Sequence, residues 1–417
     1  ISVSGLAKSI YESFCEADLR RRIMKIKLAV IFGGKSVEHE ISIISALQAC
    51  EYINREKYEV IPLYMTKGGE FYTGEHIGSI DHYKDIPLLL KESTRVLLLN
   101  EDGKVNMVRY PMKKLGNNVL GSIDVAFPIV HGTNVEDGTL QGYLQTLGLP
   151  YVGCDVLSSA VGMNKYVMKT VFKDNHIPVL DCACYNLVDF EDVEKLLDRI
   201  EGQFSYPVIV KPINLGSSVG ISKADHREGL EEALGLAFTF AQKVLVEPAI
   251  RQLKEINCAV LGDELEAEAS ECEEPLNAEE ILTYEDKYIG GGKSKGASKG
   301  MASLSRAIPA NISGERREEI RQMAVKAFQC LGCSGVARID FMIDKETDKV
   351  YLNEINTIPG SLAFYLWEPL GLKYPELLER MIQLALKRHR ENEKLTFSFD
   401  TNVLAGVKLG GAKGAKL

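Results

Sequence analysis

Two predicted strands in the last fifth of the chain carry side chains that could bind a divalent metal ion. Because side chains alternate along a strand, Arg338 and Asp340 share one face of the first strand. Glu354 and Asn356 share one face of the second strand by the same argument. Three oxygen ligands on adjacent strands can hold Mg²⁺, which commonly bridges nucleotide phosphates. The alternative is a solvated salt-bridge face, but the apolar residues that flank these side chains favour the metal site.

A glycine- and serine-rich segment, residues 208–222, could bind phosphate. An apolar run ends in Lys211, passes through a turn that contains Ser217 and Ser218, and resumes as a second short apolar run, which predicts strand, loop and strand. Glycines let a backbone approach a ligand closely, and amides, hydroxyls and a lysine all bind phosphate oxygens. The segment also satisfies Gly-x-Ser-x-Gly, the nucleophile-elbow pattern of hydrolases, but that motif requires a helix directly after the serine. An ordinary glycine hairpin remains an alternative.

The amino-terminal part places further polar residues where strands end. A strand at residues 27–32, two glycines, a helical run and a strand at 58–65 predict a βαβ unit, and such sheets bind ligands at the carboxyl ends of their strands. Glu38 follows those glycines, while His131 and Glu136 follow a later strand, so we expect all three at the same level. The alternatives are that Glu38 only favours the positive end of a helix and that His131 is structural.

The apolar pattern predicts the remaining elements. Further strands are expected at residues 96–99, 105–108, 123–130, 244–250, 253–261, 264–268, 335–343 and 349–356, and helices at 157–173, 190–200, 227–243 and 315–331. The loop at residues 284–300 has five glycines and is predicted to be a closing flap or a plain linker. Its Gly292-Lys293-Ser294 resembles the end of a Walker A motif, but the first glycine of that motif falls at Lys287, which rejects a P-loop.

Composition restricts the class of protein. At 417 residues the chain is too long for one core, so two or three domains are expected. A net charge of −9, from 49 basic and 58 acidic residues, offers no general surface for nucleic acid or anionic membranes and favours small substrates. No apolar run approaches the roughly 20 residues that span a bilayer, and no signal-peptide core is found, so a cytoplasmic enzyme is expected. The nine cysteines are expected to be reduced. Cys330-x-x-Cys333 is expected to consist of packing or turn residues rather than to serve metal or redox chemistry.

Seven segments together resemble the D-alanine:D-alanine ligase family of ATP-grasp enzymes, and the resemblance runs from Met24 to about Leu386. They are residues 32–42, 131–142, 164–165, 208–220, 284–288, 337–340 and 353–360. The resemblance implies a mixed α/β fold in which ATP lies between two antiparallel sheets. It implies a parallel α/β substrate domain at residues 24–155 and a central ATP-grasp sub-domain at 156–250, which contains the glycine-rich segment as a lid. A carboxyl-terminal ATP-grasp sub-domain at 251–390 would contain the flap at 284–300 and the metal site. Residues 1–23 would be an extension outside the fold, and 391–417 a tail.

The resemblance also implies how ATP and metal are bound. Glu247 and nearby backbone would meet adenine, Glu255 would meet ribose, and Lys287 would contact the transferring phosphate. The expected ATP-binding residues are Lys165, Lys211, Ser217, Ser218, Glu247, Ile250, Glu255 and Lys287. The expected ligands of Mg²⁺ or Mn²⁺, with two ions, are Asp340, Glu354 and Asn356.

The implied reaction transfers the γ-phosphate of ATP to the carboxylate of one D-alanine, and the amine of a second D-alanine then attacks the acyl phosphate. Glu38 would bind the ammonium of the first substrate and form a hydrogen-bonded triad with Ser217 and Tyr288 that holds the flap closed. Arg338 and the amide of Gly360 would stabilise the oxyanion. Phosphoryl transfer depends on charge neutralisation and positioning rather than on a covalent nucleophile, which suits this set of residues.

One residue departs from the family pattern. Tyr365 stands where many members have a serine that binds the carboxylate of the second substrate, and Ser361 could take over that role; His131 is a further expected substrate-binding residue. The alternatives are therefore a ligase of D-alanine with D-serine or, less favoured, D-lactate, although Tyr288 favours an amine nucleophile. A non-catalytic ATP-binding regulatory protein on the same fold would be expected to lack Asp340, Glu354 or Arg338, all of which are present. The resemblance further implies peptidoglycan synthesis and a homodimer.

Overall fold

The structure, a computed structural model, describes residues 25–216, 219–276 and 306–398. Ser217, Ser218, Lys287, Tyr288 and the predicted flap lie outside the described residues, as do residues 1–24 and 399–417. Within the described ranges, no helix is long and apolar enough to cross a membrane.

The amino-terminal part is built on a seven-stranded sheet whose strand order is β6-β5-β4-β3-β2-β1-β7. Its strands are β1 (Ile26–Gly33), β2 (Tyr58–Met65), β3 (Phe71–Thr73), β4 (Thr94–Glu101), β5 (Lys104–Arg109), β6 (Val119–Ile123) and β7 (Val125–Pro128). The predicted parallel pairing is found where β1 pairs with β2 and with β7. The strands from β3 to β6 are antiparallel, so the sheet is mixed.

Local sequence explains the antiparallel extension. Strands β4 and β5 are joined by only two residues, Asp102 and Gly103, with φ of 51° and 80°, and such a left-handed pair makes a tight hairpin. Parallel strands need a longer crossover, and helix α1 (His39–Tyr52) supplies it between β1 and β2. The further helices of this part are α2 (Ile86–Glu92) and α3 (Thr139–Thr146). The single strand predicted at 123–130 is interrupted at Asp124. Ile123 is the last residue of β6, and β7 begins at Val125.

The middle part contains a four-stranded antiparallel sheet of order β10-β9-β11-β8. Its elements are α4 (Val156–Met163), α5 (Lys165–Asp174), β8 (Ala183–Asn186), α6 (Val193–Glu201), β9 (Val208–Pro212), β10 (Ser222–Ala224), α7 (Arg227–Phe238) and β11 (Lys243–Pro248). The prediction of one helix at 157–173 was wrong. Asn164 has extended backbone angles, φ −87° and ψ 98°, and its side chain caps α5 by accepting the amide of Val167, which ends one helix and starts the next.

Two more predicted helices were too long. The segment 187–192 is a 3₁₀ helix, so α6 begins only at Val193. Helix α7 ends at Phe238, and a turn at residues 239–240 precedes β11.

The carboxyl-terminal part contains a five-stranded antiparallel sheet of order β14-β13-β12-β15-β16. Its elements are β12 (Leu253–Gly262), β13 (Ala267–Pro275), β14 (Arg306–Ala307), α8 (Gly314–Cys330), β15 (Gly335–Asp344), β16 (Lys349–Asn356) and α9 (Tyr374–Asn392). The strand predicted at 264–268 is displaced, because Asp263 starts a turn by accepting the amides of Leu265 and Glu266.

The chain after β16 packs back onto the amino-terminal part. A 3₁₀ segment, Gly360–Leu366, and helix α9 contribute Leu362, Leu366 and Leu377 to the same buried core as β1 and α1. The end of β16 is therefore held against the carboxyl ends of the amino-terminal strands. The mixed α/β class with antiparallel sheets is confirmed, whereas the domain boundaries given above stay predictions.

Candidate active site

A row of polar side chains crosses the face of the carboxyl-terminal sheet. Asp340 on β15 is the register partner of Glu354 on β16, and Asn257 on β12 is the partner of both Asp340 and Glu273. Register partners on neighbouring strands point to the same side of a sheet, so these four side chains form one line. The alternation that placed Asp340 and Glu354 on a common face is therefore found in three dimensions.

Arg338 holds Asp340 by two hydrogen bonds. Its Nε lies 2.7 Å from Oδ1 and its Nη2 lies 2.8 Å from Oδ2, and Asn356 Nδ2 donates to the same Oδ2 at 3.0 Å. Burial alone would lower the pKa of Arg338, but the charge of Asp340 outweighs it and raises that pKa well above its ordinary value. The three residues thus form one fixed unit on strands β15 and β16.

The donor set can be compared with the needs of Mg²⁺. Among the described ranges, no group of three or more histidine, cysteine or carboxylate side chains is placed to hold a metal ion by itself. Mg²⁺ does not need one, because it typically binds one or two carboxylates and completes its shell with substrate phosphates and water. Asp340, Glu354 and the amide oxygen of Asn356 fit that mode.

Lys165 joins the glycine-rich segment to strand β16. It is the first residue of α5, and its Nζ lies 2.9 Å from Glu354 Oε2 and donates to the carbonyl of Leu215 at 2.8 Å. Its ammonium group is therefore buried between a candidate metal ligand and the glycine-rich segment.

A second buried cluster surrounds Glu247 on β11. Lys211 Nζ lies 2.5 Å from Glu247 Oε1 and donates to Asn353 Oδ1 at 3.0 Å, while Lys169 pairs with Glu247 Oε2. Burial would raise the pKa of Glu247, but the two lysines outweigh it and lower it to about 2. Sequence reasoning missed Lys169, although its position four residues after Lys165 puts both lysines on one face of α5. Glu247 was predicted at adenine, and that role stays a prediction.

Two glycines enclose the carboxylate of Glu38. Glu38 precedes α1, and a β-carbon added to Gly132 would stand 2.8 Å from its Oε2; one added to Gly216 would stand 3.0 Å away. The carboxylate is thus in contact with the segment after β7 and with the glycine-rich segment. The sequence predicted that Glu38 lies at the same level as the segment after the later strand. Only glycine at positions 132 and 216 leaves room for the Glu38 carboxylate.

A turn at residues 356–361, hereafter the 356–361 turn, is bonded to the amino-terminal part at several points. His131 Nδ1 donates to the carbonyl of Ile358 at 2.8 Å, and its Nε2 accepts from Ser45 Oγ at 3.1 Å. Ser45 Oγ in turn accepts the amide of Ser361 at 3.1 Å. Burial, with a smaller contribution from the charge of Arg338, lowers the pKa of His131 to about 4, so the ring is neutral and donates only from Nδ1.

Glu136 also holds this turn. Its Oε1 accepts the amide of Ile358 at 2.9 Å and the hydroxyl of Thr357 at 3.3 Å, and its Oε2 accepts the amide of Gly132 at 2.9 Å. Burial and the charge of Glu38 raise the pKa of Glu136 to about 7 in spite of these three donors. The sequence placed Glu136 at the correct level but gave no reason to assign it a role.

Strained backbone follows the turn. Ser361, Leu362 and Ala363 have φ of 50°, 53° and 49°, in the left-handed region that non-glycine residues rarely adopt. Each such residue costs about 1–2 kcal/mol, and strain of this kind persists only where surrounding contacts enforce it.

Tyr365 is fixed at the other end of the polar row. Its hydroxyl donates to Glu273 Oε2 at 3.2 Å, and the Arg306 guanidinium stacks on its ring at 4.2 Å from the centroid. Arg306 Nη1 also lies 3.1 Å from Glu273 Oε1. Burial and the charge of Glu273 raise the pKa of Tyr365 to about 12, so the phenol stays protonated. Neither Glu273 nor Arg306 was expected from the sequence.

Two further predicted residues, Ile250 and Glu255, lie on or beside strands of the two antiparallel sheets. Ile250 follows β11. Glu255 lies on β12 two residues before Asn257, so Glu255 and Asn257 share the face that carries the polar row. The contacts above connect the segments that carry Glu38, His131, Lys165, Lys211, Arg338, Asp340, Glu354, Asn356, Gly360, Ser361 and Tyr365, while the roles assigned to these residues stay predictions.

Comparison with known proteins covers nearly the whole described chain. Residues 27–154 match the family described as D-ala D-ala ligase N-terminus, and residues 171–383 match D-ala D-ala ligase C-terminus. A D-alanine--D-alanine ligase of Acetivibrio thermocellus is 43% identical over 383 residues, which are 89% of this chain and 98% of that relative.

Two solved structures are also similar. The D-alanine-D-alanine ligase from Coxiella burnetii has a TM-score of 0.74 and 31% identity, and the match covers 89% of this chain and 96% of that one. The VanG D-Ala:D-Ser ligase from Enterococcus faecalis has a TM-score of 0.70 and 32% identity, with 87% of this chain and 100% of that chain covered.

Proposed function

The chain belongs to the D-alanine–D-alanine ligase family, and from this premise we propose that it joins two D-alanine molecules to D-alanyl-D-alanine while ATP is converted to ADP and phosphate. The observation that carries the proposal is the pairing of Asp340 with Glu354, each already bonded to a cation, Arg338 and Lys165. Phosphoryl transfer to a carboxylate needs such positioned charges and no protein nucleophile. The dipeptide would serve peptidoglycan precursor synthesis.

ATP would lie between the two antiparallel sheets. Lys165 and Lys211 would bind its phosphates, because both ammonium groups face the space between the glycine-rich segment and β16. Glu247 fixes Lys211 there and, with the backbone near Ile250, would meet adenine, while Glu255 would meet ribose. Ser217, Ser218 and Lys287 would cover the phosphates as the sequence predicts.

Asp340, Glu354 and Asn356 would hold Mg²⁺ or Mn²⁺, and two ions are proposed. When bound, the metal would neutralise negative charge that develops on the transferred phosphoryl group. Arg338 and Lys165 orient the two carboxylates by the ion pairs described above.

In the first step the carboxylate of one D-alanine attacks the γ-phosphorus, and ADP leaves with an acyl phosphate formed. Glu38 would hold the ammonium group of that D-alanine, since its carboxylate lies where the glycine-rich segment and the segment after β7 meet. Tyr288 and Ser217 would close the site with Glu38, which matters because water would hydrolyse the acyl phosphate.

In the second step the other D-alanine loses an ammonium proton, its amine attacks the acyl carbon and phosphate leaves. The oxyanion of the tetrahedral intermediate would be stabilised by Arg338 and by the amide of Gly360. His131, Ser361 and Tyr365 would line the substrate pocket, His131 as a neutral group. A preorganised oxyanion donor, such as Arg338 or the Gly360 amide, typically contributes roughly 100- to 1000-fold to kcat.

A second candidate is a ligase of D-alanine with D-serine or D-lactate. Tyr365, bonded to Glu273 and covered by Arg306, is the observation that favours it, because it replaces the serine expected from the family pattern. The likeness to a D-Ala:D-Ser ligase is compatible with this candidate.

The test is phosphate release from Mg-ATP with D-alanine alone and with added D-serine or D-lactate, with products identified by mass. D-Alanyl-D-alanine from D-alanine alone supports the leading proposal. Turnover only with an added second substrate would transfer the assignment to the second candidate. We further propose that the protein is cytoplasmic. We also propose that it is a homodimer, and light scattering of the purified protein measures the oligomeric state directly.

A further inference from the structure

Glu136 is a buried carboxylate that none of the proposed steps uses. It lies in the segment between β7 and α3, yet its Oε1 accepts the amide of Ile358, 222 residues later in the chain. Its Oε2 accepts the amide of Gly132, so one side chain ties the segment after β7 to the end of β16. The Thr357 hydroxyl adds a third bond.

The residues that Glu136 bonds lie between a proposed metal ligand and a proposed oxyanion donor. Asn356, a proposed metal ligand, comes directly before Thr357, and Gly360, whose amide is proposed to bind the oxyanion, comes two residues after Ile358. The backbone beyond Gly360 is left-handed for three residues, so it needs external contacts to keep its conformation. His131 and Ser45 supply two such contacts, at Ile358 and Ser361, and Glu136 supplies two more, at Thr357 and Ile358.

We propose that Glu136 is a positioning residue: by holding the 356–361 turn, it sets the placement of Asn356 and of the Gly360 amide relative to the substrates. The inference rests on the proposed function. A carboxylate fits this position because the two backbone amides bond to different oxygens, that of Ile358 to Oε1 and that of Gly132 to Oε2. A glutamine of the same shape has one acceptor oxygen, so its amide group would face a backbone N–H, and the turn would shift.

The electrostatics of Glu136 argue against a purely structural role. The carboxylate of Glu38 opposes its ionisation, and the adjacent His131 is neutral. Burial and the charge of Glu38 together raise the pKa of Glu136 to about 7, which means that the surroundings disfavour the ionised form. A buried charge that its surroundings disfavour does not stabilise the fold. We therefore attribute the carboxylate to its hydrogen bonds with the turn.

Substrate binding would strengthen this hold. An ammonium group bound at Glu38 would offset the negative charge that opposes ionisation of Glu136. The ionised carboxylate accepts both amides, whereas the protonated form presents a hydroxyl to one of them. The turn would therefore be fixed most firmly when the first D-alanine is in place.

The test compares the wild-type full chain with Glu136→Gln, using Mg-ATP and D-alanine. We expect the kcat for dipeptide formation to fall about 100-fold, which is the typical cost of misplacing a site by about 1 Å. The KM for ATP should change less than about twofold, and the melting temperature at pH 8 should not fall. The low-pH limb of kcat/KM near pH 7 should be absent from the variant. Ser159→Ala, which removes a buried hydroxyl that has no partner in the described chain, is the control and should match the wild type.

A second readout separates this inference from the proposed function. Hydrogen exchange of the amides in the 356–361 turn should be faster in Glu136→Gln than in the wild type, whether or not the wild type makes dipeptide. Wild-type kcat together with unchanged exchange in the variant would overturn the inference. A fall in kcat that only follows a lower melting temperature at pH 8 would also overturn it. If the variant does not fold, Thr357→Val removes one of the three bonds and should lower kcat roughly 2- to 10-fold.

Discussion

Arg338 and Asp340 stand two residues apart on strand β15 and share two hydrogen bonds of 2.7 and 2.8 Å. The pair satisfies two needs at once. Arg338 would be an uncompensated buried cation without Asp340, and Asp340 would be free to rotate away from β16 without Arg338 and Asn356. Any metal ion that binds Asp340 must therefore share its oxygens with two fixed donors, which sets the direction from which the ion can approach.

Replacing Asp340 with asparagine should abolish ATP turnover. The amide removes a charged metal ligand and leaves Arg338 buried without its counter-ion, so the rate should fall at least about 100-fold. Phosphate release measured over a range of Mg²⁺ concentrations is the readout. Asp344→Asn is the control, because Asp344 lies at the far end of the same strand and bonds only its own turn. Full activity of Asp340→Asn would remove Asp340 from the proposed metal site.

Replacing Gly132 with alanine should weaken binding of the first D-alanine. The new β-carbon would stand 2.8 Å from Glu38 Oε2 and 2.3 Å from Ser36 Oγ, so both side chains must move. We expect the KM for the first D-alanine to rise at least about tenfold, equivalent to about 1.4 kcal/mol, with the KM for ATP unchanged. Gly153→Ala is a matched control, because Gly153 also has a positive φ, of 98°, but no atom within 4 Å of an added β-carbon. Equal effects of the two variants would mean that backbone strain, not Glu38, is responsible.

Replacing Glu247 with glutamine should destabilise the protein. Lys169 and Lys211 would be left buried without a counter-ion, a change that costs about 3–5 kcal/mol. In the wild type this stabilisation is present above the ordinary carboxylate pKa of 4.5 and is lost as the pH falls towards about 2. Thermal melting at pH 7 is the measurement. Asp181→Asn is the control, because it breaks only an exposed pair with Lys173, and a melting point as high for Glu247→Gln as for this control would contradict the prediction.

The limits of sequence reasoning can be seen at individual residues. Strands β1, β2, β15 and β16 were predicted because each is a continuous or alternating apolar run, and the common face of Asp340 and Glu354 follows from that alternation. Asn164 was overlooked because apolar residues continue on both sides of it, and only its cap to Val167 reveals the break. Local pattern therefore predicts elements well and their ends less well.

Contacts between distant segments could not be predicted at all. The bond of Glu136 to Ile358, that of Lys165 to Glu354 and the stacking of Arg306 on Tyr365 join residues that only tertiary packing brings together. Spacing along the chain contains no information about such pairs. The family resemblance pointed to Lys165 and Glu354 separately, but not to the bond between them.

The stability of the protein should depend on Glu136 in the direction opposite to that of Glu247. Its pKa is raised from 4.5 to about 7, so the folded state binds a proton more tightly, and stability is lost as the pH rises through this interval, by up to about 3 kcal/mol. Glu136→Gln has no charge to bury. Its melting temperature relative to the wild type should therefore increase between pH 5 and pH 8. A difference that does not change with pH would show that Glu136 is not held in this way.

The role of Tyr365 can be separated from those of ATP and of the first substrate. The acyl group is proposed to lie between Arg338 and Gly360, with the metal ligands on one side, so the attacking amine must enter from the side of Tyr365. Tyr365→Ser removes the ring on which Arg306 stacks and the bond to Glu273, and we expect the KM for the second D-alanine to rise about tenfold.

Tyr365→Phe is the matched variant, because it keeps the stacked ring and loses only one hydrogen bond; its KM should rise less than about tenfold. Initial rates over a wide range of D-alanine give both KM values, and competition between D-alanine and D-serine gives the preference for the second substrate. If Tyr365→Ser raised the KM values for ATP and the first D-alanine equally, Tyr365 would act through general packing. A change confined to the second substrate would instead mean that the cluster of Tyr365, Arg306 and Glu273 determines which amine is accepted.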